Sequence, residues 1–304
     1  MQRSLDLAAR GAGLVSPNPM VGAVLVKGDR IIGEGYHRYD RLNHAESFAL
    51  EAAGAAARGA TLYCSLEPCC HHGRTPPCTD SVIAAGIERA VIATVDPDPR
   101  VNGHGIELLR DAGIEVEVGL LSNEAVRLNE AYIKFVSRHI PFVHAVNGPE
   151  QLDLIRDWKP SSELIGAASL YDALVLGERR LNHSFLEASL TRERHRPFIV
   201  VGDEKALRES GVFKHAQTQP ERVIAIRINE ILRDTEDIIR RLAELRATSV
   251  LFLPGASHLD LNSQWLDKVT MVRPKDYNND VFETLDAGGY VEITRHLSEL
   301  TKVD

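Results

Sequence analysis

The interval from His44 to Cys78 constrains this chain more than any other stretch. It opens on His44-Ala45-Glu46 and closes on Glu67-Pro68-Cys69-Cys70-His71-His72-Gly73-Arg74-Thr75-Pro76-Pro77-Cys78. All four cysteines (Cys64, Cys69, Cys70 and Cys78) fall within it. A disulfide framework would scatter them, whereas a metal site gathers them. One imidazole and two thiolates hold a zinc ion tetrahedrally, and the open fourth corner is where a catalytic zinc keeps its water. A carboxylate two residues after the His stands beside that corner without ligating, placed to move protons. Glu46 is that carboxylate. His44, Cys78 and one of the pair Cys69 and Cys70 are the candidate ligands. The bland alternative, a buried His beside packed cysteines, leaves Glu46 and Glu67-Pro68 unexplained.

The 304 residues suggest two domains, and 44% hydrophobic with 26% charged residues describes an ordinary soluble globular chain. A net charge of −8 argues against a nucleic-acid or anionic-membrane surface, both of which attract clustered Lys and Arg. It leaves room for one small phosphorylated substrate in a local basic pocket. No apolar run approaches the roughly 18 residues of a membrane span. The opening Met1-Gln2-Arg3-Ser4-Leu5-Asp6 has no apolar signal core, so a cytoplasmic protein is expected.

Periodicity predicts a helix over 4–13, with Leu5, Leu7 and Ala8 on its apolar face. Ser16-Pro17-Asn18-Pro19 cannot be helical, because each Pro pushes its predecessor towards extended geometry. Strands are predicted over 21–26 and 30–35, then a helix from His44 to Gly59 that puts His44 and Glu46 in its first turn. A strand over 60–66 would deliver Glu67-Pro68-Cys69 to its end. A helix starting at Cys78 would stabilise a thiolate at its N-terminus. Strand 89–95, helix 105–112, strand 114–119 and helix 122–136 follow. Such alternation implies a sheet covered by helices on both faces. The second half repeats the α/β pattern, with strands at 173–176, 197–201, 222–226, 249–253 and 268–272 and a helix over 230–246.

An H-x-E element followed by P-C marks the zinc base-deaminases. The long loop between Cys69 and Cys78 narrows the likeness. The stretch resembles the deaminase half of the bifunctional riboflavin-biosynthesis deaminase/reductase family, which carries HAE followed by EPC-x-H-x-G-[KR]-T-P-P-C. Asn18-Pro19-Met20-Val21-Gly22 and Asp96-Pro97-Asp98-Pro99 extend the resemblance. It implies a cytidine-deaminase-like α/β/α sandwich and a zinc-dependent pyrimidine deaminase domain over 1–140. The family pattern places the ligand directly after Glu-Pro, which selects Cys69; Cys70 stands where relatives often have Ser, and Cys64 reads as core. His71, Arg74 and Thr75 correspond to residues that contact the ribose-phosphate, in a loop whose cation, donors and Gly suit an anion. Asn18, whose carboxamide offers donor and acceptor, and His37 correspond to substrate contacts. Asp96-Pro97-Asp98-Pro99 reads as a turn. The implied reaction is hydrolysis of 2,5-diamino-6-(5-phosphoribosylamino)pyrimidin-4(3H)-one to 5-amino-6-(5-phosphoribosylamino)uracil and ammonia, with Glu46 shuttling protons.

For residues 141–304 the resemblance implies a shortened dihydrofolate-reductase-like α/β domain. Pro141-Phe142-Val143, the segment Asp172 to Gly177, Pro197 to Val201 and Leu251 to Ser257 look like its strands. The functional marks depart. Where the family reads Leu-Lys-x-Ala-x-Ser-Leu-Asp-Gly-Lys, this chain has His144-Ala145-Val146-Asn147-Gly148-Pro149. The family's Asp-x-Pro gives way to residues around His183-Ser184-Phe185, and Glu-Gly-Gly to Pro254-Gly255-Ala256. Losing the second Gly removes a close backbone approach to phosphate. A degenerate reductase-like domain is therefore expected, with zinc as the cofactor and NADPH not expected. Its remaining role would be oligomerisation or support of the deaminase site. The expected partners are a small phosphorylated pyrimidine and further copies of the chain, with no nucleic acid and no membrane. The rival readings are a bifunctional enzyme with a diverged reductase, and a paralogue acting on another pyrimidine or pteridine precursor. A non-catalytic zinc module is opposed by Glu46, and a nucleic-acid deaminase by the acidic balance.

Overall fold

Ala23, Val24 and Leu25 are all buried, and the strand that carries them, β1 (Gly22–Lys27), lies between β2 (Arg30–Tyr36) and β3 (Thr61–Cys64). In the computed structural model, residues 1–39, 41, 43–73, 75–147, 170–176, 196–228, 235–253, 265–274, 285–287 and 290–296 are described. The chain divides into two compact units, Met1–Arg138 and His139–Asp304.

In the first unit β1 runs antiparallel to both neighbours, and β3, β4 (Arg89–Ile92) and β5 (Glu115–Val118) run parallel, giving the order β2-β1-β3-β4-β5. Parallel neighbours need crossovers. These are α3 (Cys78–Ala84) between β3 and β4, and α4 (His104–Asp111) between β4 and β5. The remaining helices are α1 (Gln2–Ala9), α2 (Ala45–Ala53), α5 (Ser122–Leu128) and α6 (Glu130–Arg138). Leu25, Leu62, Cys64, Val82, Ile92 and Leu109 meet in the core. The loops that leave the carboxyl ends of β3 and β4 carry Glu67 to Cys69 and Asp96 to Arg100. That end of a parallel sheet is where α/β folds build their sites.

Close packing of α2 on β2 sets the position of His44 and Glu46. Ala45 and Ala49 are completely buried, and a Cβ on Gly35 would lie 2.2 Å from the Ala45 carbonyl oxygen. Only a strand bare of side chains at that point lets the helix seat. Gly35→Val is expected to destabilise the fold by about 2–3 kcal/mol, the range for overpacking a filled interior. It should also lower zinc content by displacing the start of α2. A urea midpoint and zinc stoichiometry equal to wild type would show that α2 has room to shift.

The element order of the first unit follows the sequence-based expectation, with β3, β4 and β5 shorter than expected and with changes at helix ends. The first helix stops at Ala9. The helix expected to reach Gly59 ends at Ala53, capped by Gly54, whose φ of 53° leaves helical space, and a 3₁₀ turn (Gly54–Ala57) continues the chain. The helix expected over 122–136 is interrupted at Asn129, which separates α5 from α6.

The second unit contains β6 (Phe142–Asn147), β7 (Ala173–Leu176), β8 (Phe198–Gly202), α7 (Glu204–Glu209), α8 (Val212–Thr218), β9 (Val223–Arg227), α9 (Thr235–Glu244), β10 (Ser249–Leu253), β11 (Lys268–Pro274), β12 (Leu285–Ala287) and β13 (Tyr290–His296). Its sheet order is β12-β13-β11-β6-β10-β7-β8-β9, with β11 to β9 parallel and the β13 and β12 pairings antiparallel. β7 and β8 are buried along their whole length, as strands covered on both faces must be. Ile238, Ile239 and Leu242 of α9 pack on Val175, Val201, Val250 and Phe252. Sequence reading did not name β12 and β13. Gly148-Pro149, His183-Ser184-Phe185 and Pro254-Gly255-Ala256, on which the loss of reductase features was argued, lie outside the described residues. Among the described residues no helix is long and apolar enough to cross a membrane.

Candidate active site

His44 is the N-cap of α2, with extended backbone (φ −82°, ψ 172°), so it precedes the helix whose first turn carries Glu46. Cys78 opens α3 and Cys69 lies in the loop after β3. The fold brings these three expected ligands together. His44 Nδ1 lies 3.4 Å from Cys69 Sγ and 3.3 Å from Cys78 Sγ. Zinc bonds of about 2.0–2.1 Å to nitrogen and 2.3 Å to sulfur set ligand atoms about 3.6 Å apart across a tetrahedral ion. The donor set and its spacing therefore fit zinc. Among the described residues, this is the group of His, Cys and acidic side chains able to hold a metal.

The electrostatics agree. The Cys78 side chain, hydrogen-bonded to Cys69, lowers the Cys69 pKa to about 4, with His44 and the Cys78 backbone N–H acting in the same direction. That N–H, at the start of α3, donates to Cys69 Sγ at 3.4 Å. The Cys78 thiol is pushed upward, first because it shares its proton with Cys69 and then by burial. Two adjacent sulfurs thus favour one negative charge, and a divalent cation is what stabilises the second. The Cys69 hydrogen bond is the largest influence raising the His44 pKa.

Glu46 is 3% exposed, and its Oε2 has no hydrogen-bond partner among the described residues. Burial, and then the nearby Cys69 charge, raise its pKa. A buried carboxyl oxygen without a partner is costly unless something outside the chain uses it. Cys70 turns elsewhere: its Sγ donates to the Arg100 carbonyl at 3.4 Å. Cys64 closes β3 inside the core, where burial raises its thiol pKa well above the usual value.

Asn18 and His37 also converge, with Asn18 Nδ2 3.2 Å from His37 Nε2. The His37 ring meets that of His44 edge-on, at 5.4 Å between centroids. His71 is partly buried, and its Nδ1 has no hydrogen-bond partner among the described residues. Thr75 is partly buried and accepts the Gly73 N–H through its carbonyl at 3.2 Å. Arg74 lies outside the described residues.

Sequence reading did not foresee how the surrounding loops are held. Glu67 Oε2 accepts the N–H groups of Gly103 (2.9 Å) and Asp96 (3.2 Å), and Oε1 that of Ile106 (3.1 Å). One buried carboxylate thus ties the Cys69 loop to the start of α4 and to the loop after β4. A Cβ on Gly105 would lie 2.3 Å from the Pro68 carbonyl oxygen, so a side chain there would break this contact. Asp98 N–H donates to Asp96 Oδ1 at 2.9 Å, which makes the Asp-Pro-Asp-Pro stretch the turn it reads as. Tyr132 donates to the same oxygen at 2.9 Å. Asn129 pairs with the Met20 backbone.

Residues 1–94 match the family described as the cytidine and deoxycytidylate deaminase zinc-binding region. The riboflavin biosynthesis protein RibD of Aquifex aeolicus is 51% identical over 143 residues, 47% of this chain and 40% of that protein. The diaminohydroxyphosphoribosylamino-pyrimidine deaminase of Buchnera aphidicola (subsp. Schizaphis graminum) is 44% identical over 141 residues, which are 46% of this chain and 96% of that relative. The chain belongs to the RibD family. In structure it is similar to the Thermotoga maritima diaminohydroxyphosphoribosylaminopyrimidine deaminase/5-amino-6-(5-phosphoribosylamino)uracil reductase. The TM-score is 0.76, at 30% identity and covering 97% of this chain and 96% of that one. The RibD-like fold therefore continues through the second unit, although the match to the Aquifex RibD spans only two-fifths of that protein. Asn129 and Tyr132 lie beyond residues 1–94, the part matched by the zinc-binding family.

Proposed function

We propose that this chain is a zinc-dependent hydrolytic deaminase that converts 2,5-diamino-6-(5-phosphoribosylamino)pyrimidin-4(3H)-one to 5-amino-6-(5-phosphoribosylamino)uracil and ammonia. One observation carries the reading: a buried carboxyl oxygen of Glu46, without a hydrogen-bond partner among the described residues, near the convergence of His44 Nδ1 and two thiols. The Buchnera relative, of which this chain covers 96%, is named as a deaminase of this kind of pyrimidine, which supports the substrate class.

Zinc, held by His44, Cys69 and Cys78, would lower the pKa of a water to about 7 and make it a nucleophile at neutral pH. Asn18 and His37 orient the pyrimidine. Glu46 accepts the nucleophile's proton as the C–O bond forms at the amino-bearing carbon. It passes that proton to the ring nitrogen, then takes the remaining proton of the added hydroxyl and delivers it to the amine; the C–N bond breaks, a carbonyl forms at that carbon, and ammonia leaves. Burial raises the Glu46 pKa, a shift that suits a group that must both take and give a proton. His71, Arg74 and Thr75 bind the ribose-phosphate.

The second unit, in this reading, is a reductase-like support without NADPH chemistry. His144, in the segment that departs from the family's Leu-Lys pattern, is buried and hydrogen-bonded to Tyr171. A retained reductase is the second reading, favoured by the likeness of 97% of the chain to a structure named deaminase/reductase. The acidic net charge of −8 supports a small-molecule partner over nucleic acid, and a cytoplasmic homo-oligomer remains the proposed state.

Zinc-loaded protein, the diaminopyrimidinone ribose-phosphate and NADPH in one cuvette test both readings. Ammonia release without NADPH oxidation is expected. Oxidation of NADPH alongside ammonia would restore the reductase, and absence of ammonia would overturn the proposed substrate.

A further inference from the structure

Asn18 stands on a loop between two prolines. Pro17 and Pro19 lack an N–H, so the segment cannot join the β1 ladder. Asn18 N–H donates to the Val15 carbonyl at 2.9 Å. At Met20 the chain meets a side chain 109 residues away. Asn129 Oδ1 accepts the Met20 N–H at 2.8 Å, and Asn129 Nδ2 donates to the Met20 carbonyl at 2.9 Å. Asn129 is 2% exposed. A primary carboxamide is the side-chain group that offers one acceptor and one donor side by side, matching the two backbone groups of Met20. Both halves of the amide are in use, which fixes its orientation.

The same turn of chain reaches the metal-ligand loop. Tyr132, three residues on, donates to Asp96, whose N–H donates to Glu67, and Glu67 precedes Pro68-Cys69. Asn129 and Tyr132 thus put one side chain on each of the two loops that frame the site.

We propose that Asn129 is a positioning residue for the substrate loop: its carboxamide pins Met20, and so holds Asn18 where its amide meets His37 and the pyrimidine. The catalytic consequence rests on the reading of Asn18 as a substrate contact. Asn18 touches the ligand but not the proton shuttle, so its displacement weakens binding more than chemistry.

The test uses Asn129→Asp and Asn129→Ala in the full zinc-loaded chain. The first is isosteric and keeps the acceptor while setting a carboxylate oxygen against the Met20 carbonyl; the second removes both bonds. Hydrogen exchange at the Met20 amide is expected to speed up about tenfold or more, with the Leu25 amide in β1 unchanged. For ammonia release, KM should rise about tenfold, with kcat within about twofold and zinc content unaltered, the size expected for one or two lost hydrogen bonds. Unchanged Met20 exchange in both variants would overturn the clamp. Faster exchange with unchanged KM would overturn its role in positioning, as would a joint fall of kcat, zinc content and Tm. If wild type releases no ammonia from the diaminopyrimidinone, the proposed substrate fails, and Met20 exchange alone decides the clamp.

Discussion

Glu46→Gln is expected to lower ammonia release by roughly 10²–10⁴-fold, the usual loss when a positioned general acid-base is removed. The amide is nearly isosteric with the carboxyl group but cannot take a proton at neutral pH. Both the activation of the nucleophile and the protonation of the leaving amine then lose their carrier. Zinc content should stay at the wild-type level, because the group able to hold a metal is His44, Cys69 and Cys78 and does not include Glu46. Thermal stability should not fall. Burial raises the Glu46 pKa, so the ionised carboxylate is disfavoured by the fold, and a neutral amide avoids that cost. Two measurements on one preparation decide the matter: ammonia release under saturating substrate, and zinc per chain by atomic absorption. Turnover within a few-fold of wild type would remove Glu46 from the mechanism. Loss of zinc in step with turnover would instead make it a residue that holds the metal.

The second large effect separates two adjacent cysteines. Cys69→Ala should weaken zinc binding by well over about 100-fold, more than the range seen for mutating the outer partners of metal ligands. It removes the sulfur that His44 Nδ1 and the Cys78 N–H both face. It also leaves the buried Cys78 thiol without the partner that shares its proton. Because a metal bound only to the native state stabilises it, Tm at fixed zinc should drop with affinity, by about 2.7 kcal/mol of stability for every system held at 100 times its Kd. Cys70→Ala should behave differently. Its Sγ makes one bond, to the Arg100 carbonyl, and a thiol is a weak donor. Zinc content and turnover close to wild type are expected. A chelator competition titration on the two variants reads the contrast directly. Equal zinc affinity in both would overturn the assignment, and a loss confined to Cys70→Ala would reverse it.

The two experiments divide along a line that also runs through the fold. His44, Glu46, Cys78 and one of the pair Cys69 and Cys70 could be named as candidates from residue type and spacing, because metal chemistry demands those side chains whatever scaffold presents them. Strands such as Ala173–Leu176 and Ser249–Leu253 were equally legible, since short apolar runs bounded by polar or turn residues have few other fates. Which of Cys69 and Cys70 faces the imidazole was not readable from spacing alone. It depends on how the chain leaves β3, and Glu67 sets that through three amides 29 to 39 residues away.

The burial of Asn129 was hidden from the sequence for a similar reason. Local propensity sees a neutral residue in a helical window, whereas Met20 offers that residue two hydrogen bonds that only the assembled sheet brings within reach. Gly35 belongs to the same class. In sequence it is a weak point in a strand; in the fold it is the place where α2 touches down on β2. The order of amino acids by itself determined the chemistry of the centre and the alternation of elements, because both follow from side-chain type and short-range periodicity. Tertiary structure alone decided the orientation of that chemistry and the anchoring of its loops, because hydrogen bonds between residues 109 apart exist only once the topology has closed.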